Sequence, residues 1–246
     1  MISYKNCLLV LYTFNKRHRY LPAVDKNISK NINFMRKVLV TNESVNFSSD
    51  VYFNGENEFA KNLLIELKNI RLTLAPTNIL LILEDLYPIR VIHEDEINWQ
   101  VEMMNSTGIK YVSFRTYEFG DIKYDTKIGC HNYYRFNEEF KYYCQLQPAI
   151  WNLEYLISIL EKLVTENITD PWSFEFHRTE EIHLMSDYKW PNVLGGFFEF
   201  GFVNRKSIFP ILKSDKFFGL LLLKDYIFSR PSYIIYRIKR KFFKSI

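Results

Sequence analysis

The chain has 246 residues, enough for one large domain or two small ones. Hydrophobic residues make up 48% and aromatics 17%, with Gly and Pro at 8 each, which supplies a sizeable core and excludes long low-complexity linkers. Net charge is +4, yet Ser232–Ile246 alone carries Arg237, Lys239, Arg240, Lys241 and Lys244 with no acid, which leaves the rest at −1. A nearly neutral body with a basic tail argues against nucleic acid wrapped on the body and for an anionic surface touched by the tail.

In chain order, Cys7–Phe14 reads as a buried strand that ends in the polar turn Asn15–Arg19. Lys37–Thr41 reads as a second strand and Val51–Phe53 as a short third. Glu56–Leu74 places Phe59, Leu63, Leu67, Ile70 and Leu74 at helical spacing, and Pro76 stops it. The apolar run Ile79–Leu83 then runs directly into two carboxylates, Glu84 and Asp85. A strand of this kind suits a position buried on both faces, and acids at its carboxyl end stand where open α/β sheets bind ligands. Hard oxygen ligands there suit Mg2+ or Mn2+ holding a diphosphate.

Glu94–Asn105 reads as a helix and Lys110–Tyr117 as a strand, while Gly120–Gly129 reads as polar and irregular. Tyr142–Leu146 is a strand candidate. Asn152–Thr165 is an amphipathic helix with Asn152 near its start. Beyond Asp170 aromatic-rich loops and short strands are expected to about Lys213. The whole implies α/β architecture with a mostly parallel central sheet, a body at residues 1–213 and a basic amphipathic helical segment at 214–246. Within that segment Ile235, Ile238, Phe242 and Ile246 fall on one helical face, a pattern suited to an anionic membrane surface, here through residues 216–246. No apolar stretch reaches the roughly 18–20 residues that span a bilayer.

The helix at 152–165 is bracketed by Gln145-Leu146-Gln147-Pro148-Ala149-Ile150-Trp151 and by Asp170-Pro171-Trp172-Ser173-Phe174-Glu175. Trp offers a flat apolar face for a sugar ring, together with an N–H. Glu175, set among Trp172, Phe174 and Phe176, should be partly desolvated, which raises a carboxylate's pKa and makes it a better base near neutral pH. Cys7, Cys130 and Cys144 are odd in number and widely spaced, and the amino terminus lacks a signal-peptide cleavage pattern; both imply a reducing compartment. The histidines share no metal-ligand spacing.

The segments "LLILEDLYPI" and "QLQPAIWNLEYLISILE…DPWSFE", in that order, resemble bacterial glycosyltransferases of the GT-A type implicated in capsule, lipopolysaccharide and other surface-glycan assembly. The similarity runs from about Leu8 to Phe176. It implies a nucleotide-sugar donor, UDP- or GDP-linked, with Glu84 and Asp85 as nucleotide-sugar and metal acids (Mn2+ or Mg2+) and Glu175 as the base of an inverting transfer. It further implies that Gln147, Trp151 and Trp172 line the sugar pocket and that the turn Thr13 to Asn15 lies near the base and ribose. The acceptor would be a glycan or lipid-linked glycan, and the protein would sit in the cytoplasm, peripheral on the inner face of the inner membrane. The acid pair is followed by Leu86 where the family pattern carries Asp-x-Asp. The rival expectation is a non-catalytic protein of the same fold that binds glycan or acts as a scaffold at the membrane surface. A nucleotidyltransferase is disfavoured, because no Gly-rich phosphate loop follows the first strand.

Overall fold

The apolar runs at the amino-terminal end are the spine of a sheet. They form β1 (Cys7–Tyr12), β2 (Lys37–Thr41) and β4 (Asn78–Leu83), with β3 (Asp50–Phe53) at the edge. Their pairing is parallel throughout: β1 lies between β2 and β4, and β2 carries β3. The computed structural model describes residues 7–86, 88–115, 124–137, 140, 142–191, 198–199, 202–203, 205–216, 218–228 and 232. The chain divides into two compact units, Met1–Pro191 and Asn192–Ile246.

Two helices make the crossovers. α1 (Leu21–Asn31) joins β1 to β2, and α2 (Phe59–Leu74) joins β3 to β4. The first crossover steps one way from β1 and the second steps back past it, so right-handed connections place the two helices on opposite faces. The packing agrees. Phe59, Leu63, Leu67 and Ile70 of α2 join Leu8, Val10, Val38, Val40, Ile79 and Leu81 in one core, which excludes Leu21, Val24 and Ile28 of α1. Alternation along the strands leaves Leu9, Leu11, Leu39, Leu80 and Ile82 for the other face, all fully or nearly fully buried. The polar turn expected at Asn15–Arg19 is a 3-10 turn, Asn15–Tyr20, that runs into α1. Pro22 at the start of α1 is tolerated because its missing N–H has no intrahelical partner there. α2 ends as its punctuation demands: Ala75 takes the left-handed conformation, with φ of 46°, just before Pro76.

The remaining strands are β5 (Tyr111–Arg115), β6 (Thr126–Ile128), β7 (His131–Arg135), β8 (Ala149–Asn152) and β9 (His183–Lys189). Among the described residues the sheet has nine strands in the order β3-β2-β1-β4-β8-β5-β9-β7-β6. It is mixed rather than wholly parallel. β8 runs antiparallel to both β4 and β5, and β7 runs antiparallel to β6 and β9. The helices α3 (Glu94–Thr107), α4 (Leu153–Thr165) and α5 (Pro171–Phe176) complete the first unit. Asn152 caps α4 by accepting the Tyr155 N–H at 3.1 Å. The β6–β7 hairpin turns through Gly129 at a φ of 59°, where a Cβ would also collide with the Trp99 indole.

Three expectations change here. Tyr142–Leu146 is not a strand, and the approach to the helix at 149–151, with Asn152, is the strand β8. Part of the stretch read as irregular is β6. Tyr117, the last residue of the expected fifth strand, and residues 120–123 lie outside the described residues. In the second unit α6 (Arg205–Ser214) is followed by helix over residues 218–228, with Phe218 and Leu222 buried and Leu220, Ile227 and Phe228 exposed. The basic stretch 233–246 lies outside the described residues.

Candidate functional site

The strand order reverses at β1, between β2 on one side and β4 on the other, and α/β sheets of this kind bind ligands at the carboxyl edge of such a switch point. A cavity of 640 Å3 lies there. Tyr12 and Phe14 from the end of β1, Asn42 after β2, and Leu83 and Glu84 at the end of β4 line it. Asn57, Glu58 and Phe59 at the start of α2 contribute, as do Leu146 and the approach to α5, Thr169–Pro171. Arg17 is the one cationic residue among the described residues that line it, against Glu58, Glu84 and Asp170.

Glu84 and Asp85 leave β4 in a 3-10 turn, Glu84–Leu86. Glu84 is buried, and Arg17 Nη1 donates to its Oε1. The same Nη1 lies 3.5 Å from Asp85 Oδ2. Because β1 and β4 are parallel neighbours with Tyr12 opposite Leu83, the turn after one strand delivers the cation and the turn after the other delivers the acids. Burial, and then the Glu84 charge, raise the Asp85 carboxyl to about 6 against the opposing pull of Arg17. Asp85 Oδ1 is buried and has no hydrogen-bond partner. The Tyr12 hydroxyl is in the same state, and burial reinforced by Glu84 pushes its pKa up.

Glu175 sits on α5, and its Oε1 accepts the Leu146 N–H at 3.1 Å. Burial pushes it up from 4.5 to about 7; the Leu146 N–H opposes that rise and the Asp85 charge adds to it. Arg178 donates to the Phe140 carbonyl at 3.5 Å rather than to Glu175. Neither Glu175 nor Asp85 is among the cavity-lining residues. Each stands one contact behind the wall, Glu175 through Leu146 and Asp85 through Arg17.

The route by which Glu175 arrives is topological. The 13-residue helix α4 alone separates its ends by ~20 Å at 1.5 Å per residue. β8 removes that separation by running from the carboxyl edge of β4 back to its start, with Ala149 opposite Leu81 and Asn152 opposite Asn78. α4 then returns to the carboxyl edge, so that the segments before β8 and after α4 meet. Cys144 N–H donates to the Glu175 carbonyl at 3.2 Å, and Ala60 at the start of α2 donates to the Thr169 carbonyl at 3.0 Å.

The other candidate residues fall in distinct places. Trp151, expected as a sugar platform, is fully buried on β8; its ring centroid lies 4.2 Å from that of Tyr111 and 6.0 Å from that of Phe174. It is a core residue, because β8 is a central strand and its inward positions face α4. Replacing Trp151 by Ala should therefore cost ~3–5 kcal/mol of stability in a denaturant titration, as large-to-small core changes do. Trp172 is 57% exposed at the start of α5, beside the lining Pro171, and its ring is accessible. Gln147 is half-buried in the loop that carries Leu146. Thr13 is buried, with its N–H donating to the Val40 carbonyl at 3.1 Å, and its neighbours Tyr12 and Phe14 form the wall instead. Asn15 opens the 3-10 turn, and its side chain lies outside the described residues. Tyr12, Arg17 and the Asn42–Asn57 amide pair, joined at 2.9 Å, are cavity residues that sequence reasoning passed over. The available signal was a cation in the turn after β1, set against acids at the end of its neighbour strand.

Among the described residues no group of three or more His, Cys, Asp or Glu side chains could hold a metal ion. The orphaned Asp85 Oδ1 is nevertheless a hard oxygen ligand of the type Mg2+ takes once or twice while phosphates and water complete its shell.

No family model matches the chain, and no curated protein matches it. Among solved structures it is similar to TarS of S. aureus, with a TM-score of 0.48 and 11% identity over 75% of this chain and 36% of that one. A structure of S. aureus TarS 1-349 in complex with UDP-GlcNAc gives 0.46 and 11% over 75% and 57%. A197 from STIV gives 0.40 and 16% over 73% and 81%. The chain thus spans between about a third and three fifths of the length of the TarS chains it matches.

Proposed function

We propose that this protein is a glycosyltransferase of the GT-A type, moving a sugar from a nucleotide-sugar donor to a surface-glycan or lipid-linked acceptor such as those of capsule or lipopolysaccharide. The observation that carries the reading is the meeting at one carboxyl edge: Leu146 lines the cavity beside the Glu84 acid pair and also holds Glu175. The cavity's size suits a nucleotide, since small-molecule sites run from about 300 to 1,000 Å3. The nucleoside would lie towards the end of β1 and the turn Thr13 to Asn15, and the sugar towards Gln147 and Trp172.

Glu175 is the general base of an inverting transfer. Its carboxylate removes the proton from the acceptor hydroxyl, the oxygen forms a bond to the anomeric carbon, and the bond from that carbon to the diphosphate oxygen breaks on the opposite side. A group titrating near 7 is suited to that task at neutral pH. Asp85, through Oδ1, would hold Mg2+ or Mn2+, while Glu84 is committed to Arg17. Such a cation supplies charge compensation for the departing diphosphate. The second unit would meet an anionic membrane. Leu220, Ile227 and Phe228 stand exposed with Lys216 and Lys224 on its helices, and the chain beyond adds six cations, Arg230 among them. No helix among the described residues is long and apolar enough to cross a membrane.

The test is release of nucleoside diphosphate from a panel of UDP- and GDP-sugars with Mn2+ or Mg2+ and glycan acceptors. Release with at least one donor is the expected result. Binding of a donor without release or transfer would favour the non-catalytic protein of the same fold.

A further inference from the structure

We infer that Arg17 is the residue that contacts the phosphates of the bound nucleotide, and that Glu84 serves as its positioning partner. The inference rests on the nucleotide-site reading and adds a role to a residue that the acid pair alone does not suggest. Three observations carry it. Arg17 is the sole cationic residue among the described lining of the cavity, whose other charged members are acids. A polyanion entering such a cavity needs positive charge on its wall, and a guanidinium is the side chain best matched to phosphate oxygens.

The second observation is how the guanidinium is held. The turn that carries it is pinned where Arg17 N–H donates to the Phe14 carbonyl at 2.9 Å. Its Nη1 is fixed by Glu84 and stands 3.5 Å from Asp85, with the Arg17 side chain 29% exposed against 5% for Glu84 and 15% for Asp85. The acids are deeper and the cation is nearer solvent, an order that presents the positive group to the ligand. The third observation is place. Arg17 follows β1 and Glu84 ends β4, so their pairing spans the crevice at the point where the strand order reverses. Glu84 is thereby spent on orientation, and Asp85 is left as the acid with an unpartnered oxygen.

The experiment compares nucleoside diphosphates with the corresponding nucleosides, using UDP, GDP and CDP against uridine, guanosine and cytidine, by calorimetry on the full chain. Arg17→Gln should weaken the diphosphate by about ten- to a hundred-fold, the loss of one charged hydrogen-bonded contact, and leave the nucleoside within about twofold. Arg17→Lys, which keeps the charge, should recover part of the loss and guards against a variant that fails to fold. Glu84→Gln should shift the same ratio in the same direction by a smaller factor. Equal weakening of nucleoside and diphosphate in both Arg17 variants would show a merely structural role and overturn the inference, as would an unchanged diphosphate affinity. Wild-type protein that binds none of the diphosphates overturns the nucleotide site itself, and the inference with it.

Discussion

Replacing Glu175 by Gln should lower sugar transfer by about 10²–10⁴-fold, the range supplied by a positioned general base, while leaving donor affinity nearly unchanged. The amide keeps the size of the side chain and an acceptor oxygen for the Leu146 N–H, so the loop that lines the cavity should hold its place. The pH profile gives an independent check. The base must be ionised, and burial has raised it to about 7, so the wild-type rate should climb with pH up to about 7 and level off above. The stability profile runs the other way. The unfolded chain ionises this group near 4.5 and the folded chain near 7, so the stability tied to the protonated form is complete below 4.5 and is lost as pH rises to about 7. Glu175→Gln cannot ionise and should remove that slope from a series of denaturant titrations. A variant that transfers sugar at the wild-type rate would show that the proton goes elsewhere.

Asp85→Ala should reduce nucleoside diphosphate affinity in the presence of Mn2+ by at least about tenfold, equivalent to about 1.4 kcal/mol, and should flatten the dependence of binding on Mn2+ concentration. The reason is the single oxygen, Asp85 Oδ1, that is buried without a partner while Glu84 is engaged by Arg17. The fold should tolerate the change, because the substitution removes one of two acids around one cation and leaves the Arg17–Glu84 pair matched in charge. Calorimetry with and without the metal is the measurement. Equal affinities for wild type and variant at every Mn2+ concentration would dismiss Asp85 as the anchor.

The first half of the sheet could be read from residues because its physics is local. Leu8–Leu11, Val38–Val40 and Ile79–Ile82 are unbroken apolar runs, and such runs are stable only where both faces are covered. α2 and α4 announced themselves by a stripe at helical spacing, with Pro76 ending one and Asn152 opening the other. α1 is not legible because Leu21, Val24 and Ile28 share its buried face with Asn27 and Asn31, which breaks the apolar stripe, while Lys26 and Lys30 lie outside. β8 escaped because four residues carry no periodicity of their own; Ala149–Asn152 is a strand only because β4 and β5 stand on either side of it. The same limit applied at the site. Glu84, Asp85 and Glu175 were visible as acids in apolar settings, whereas Tyr12 and Arg17 become site residues only once β1 and β4 lie side by side. Trp151 shows the converse, since an aromatic next to a candidate pocket in sequence became core through the alternation of a strand that was not foreseen.

The backward course of β8 also gives the molecule a seam. Everything before it in the sheet is locked into register by parallel crossovers, in which a change of length in one helix disturbs two strands at once. The segment that leads into β8, from 136 to 148, crosses from β7 past β9 and β5, and its Phe136, Tyr143, Cys144 and Leu146 are buried in the core shared with α2 and α4. A change of length there would shift Leu146, and with it both the wall of the crevice and the N–H that holds Glu175.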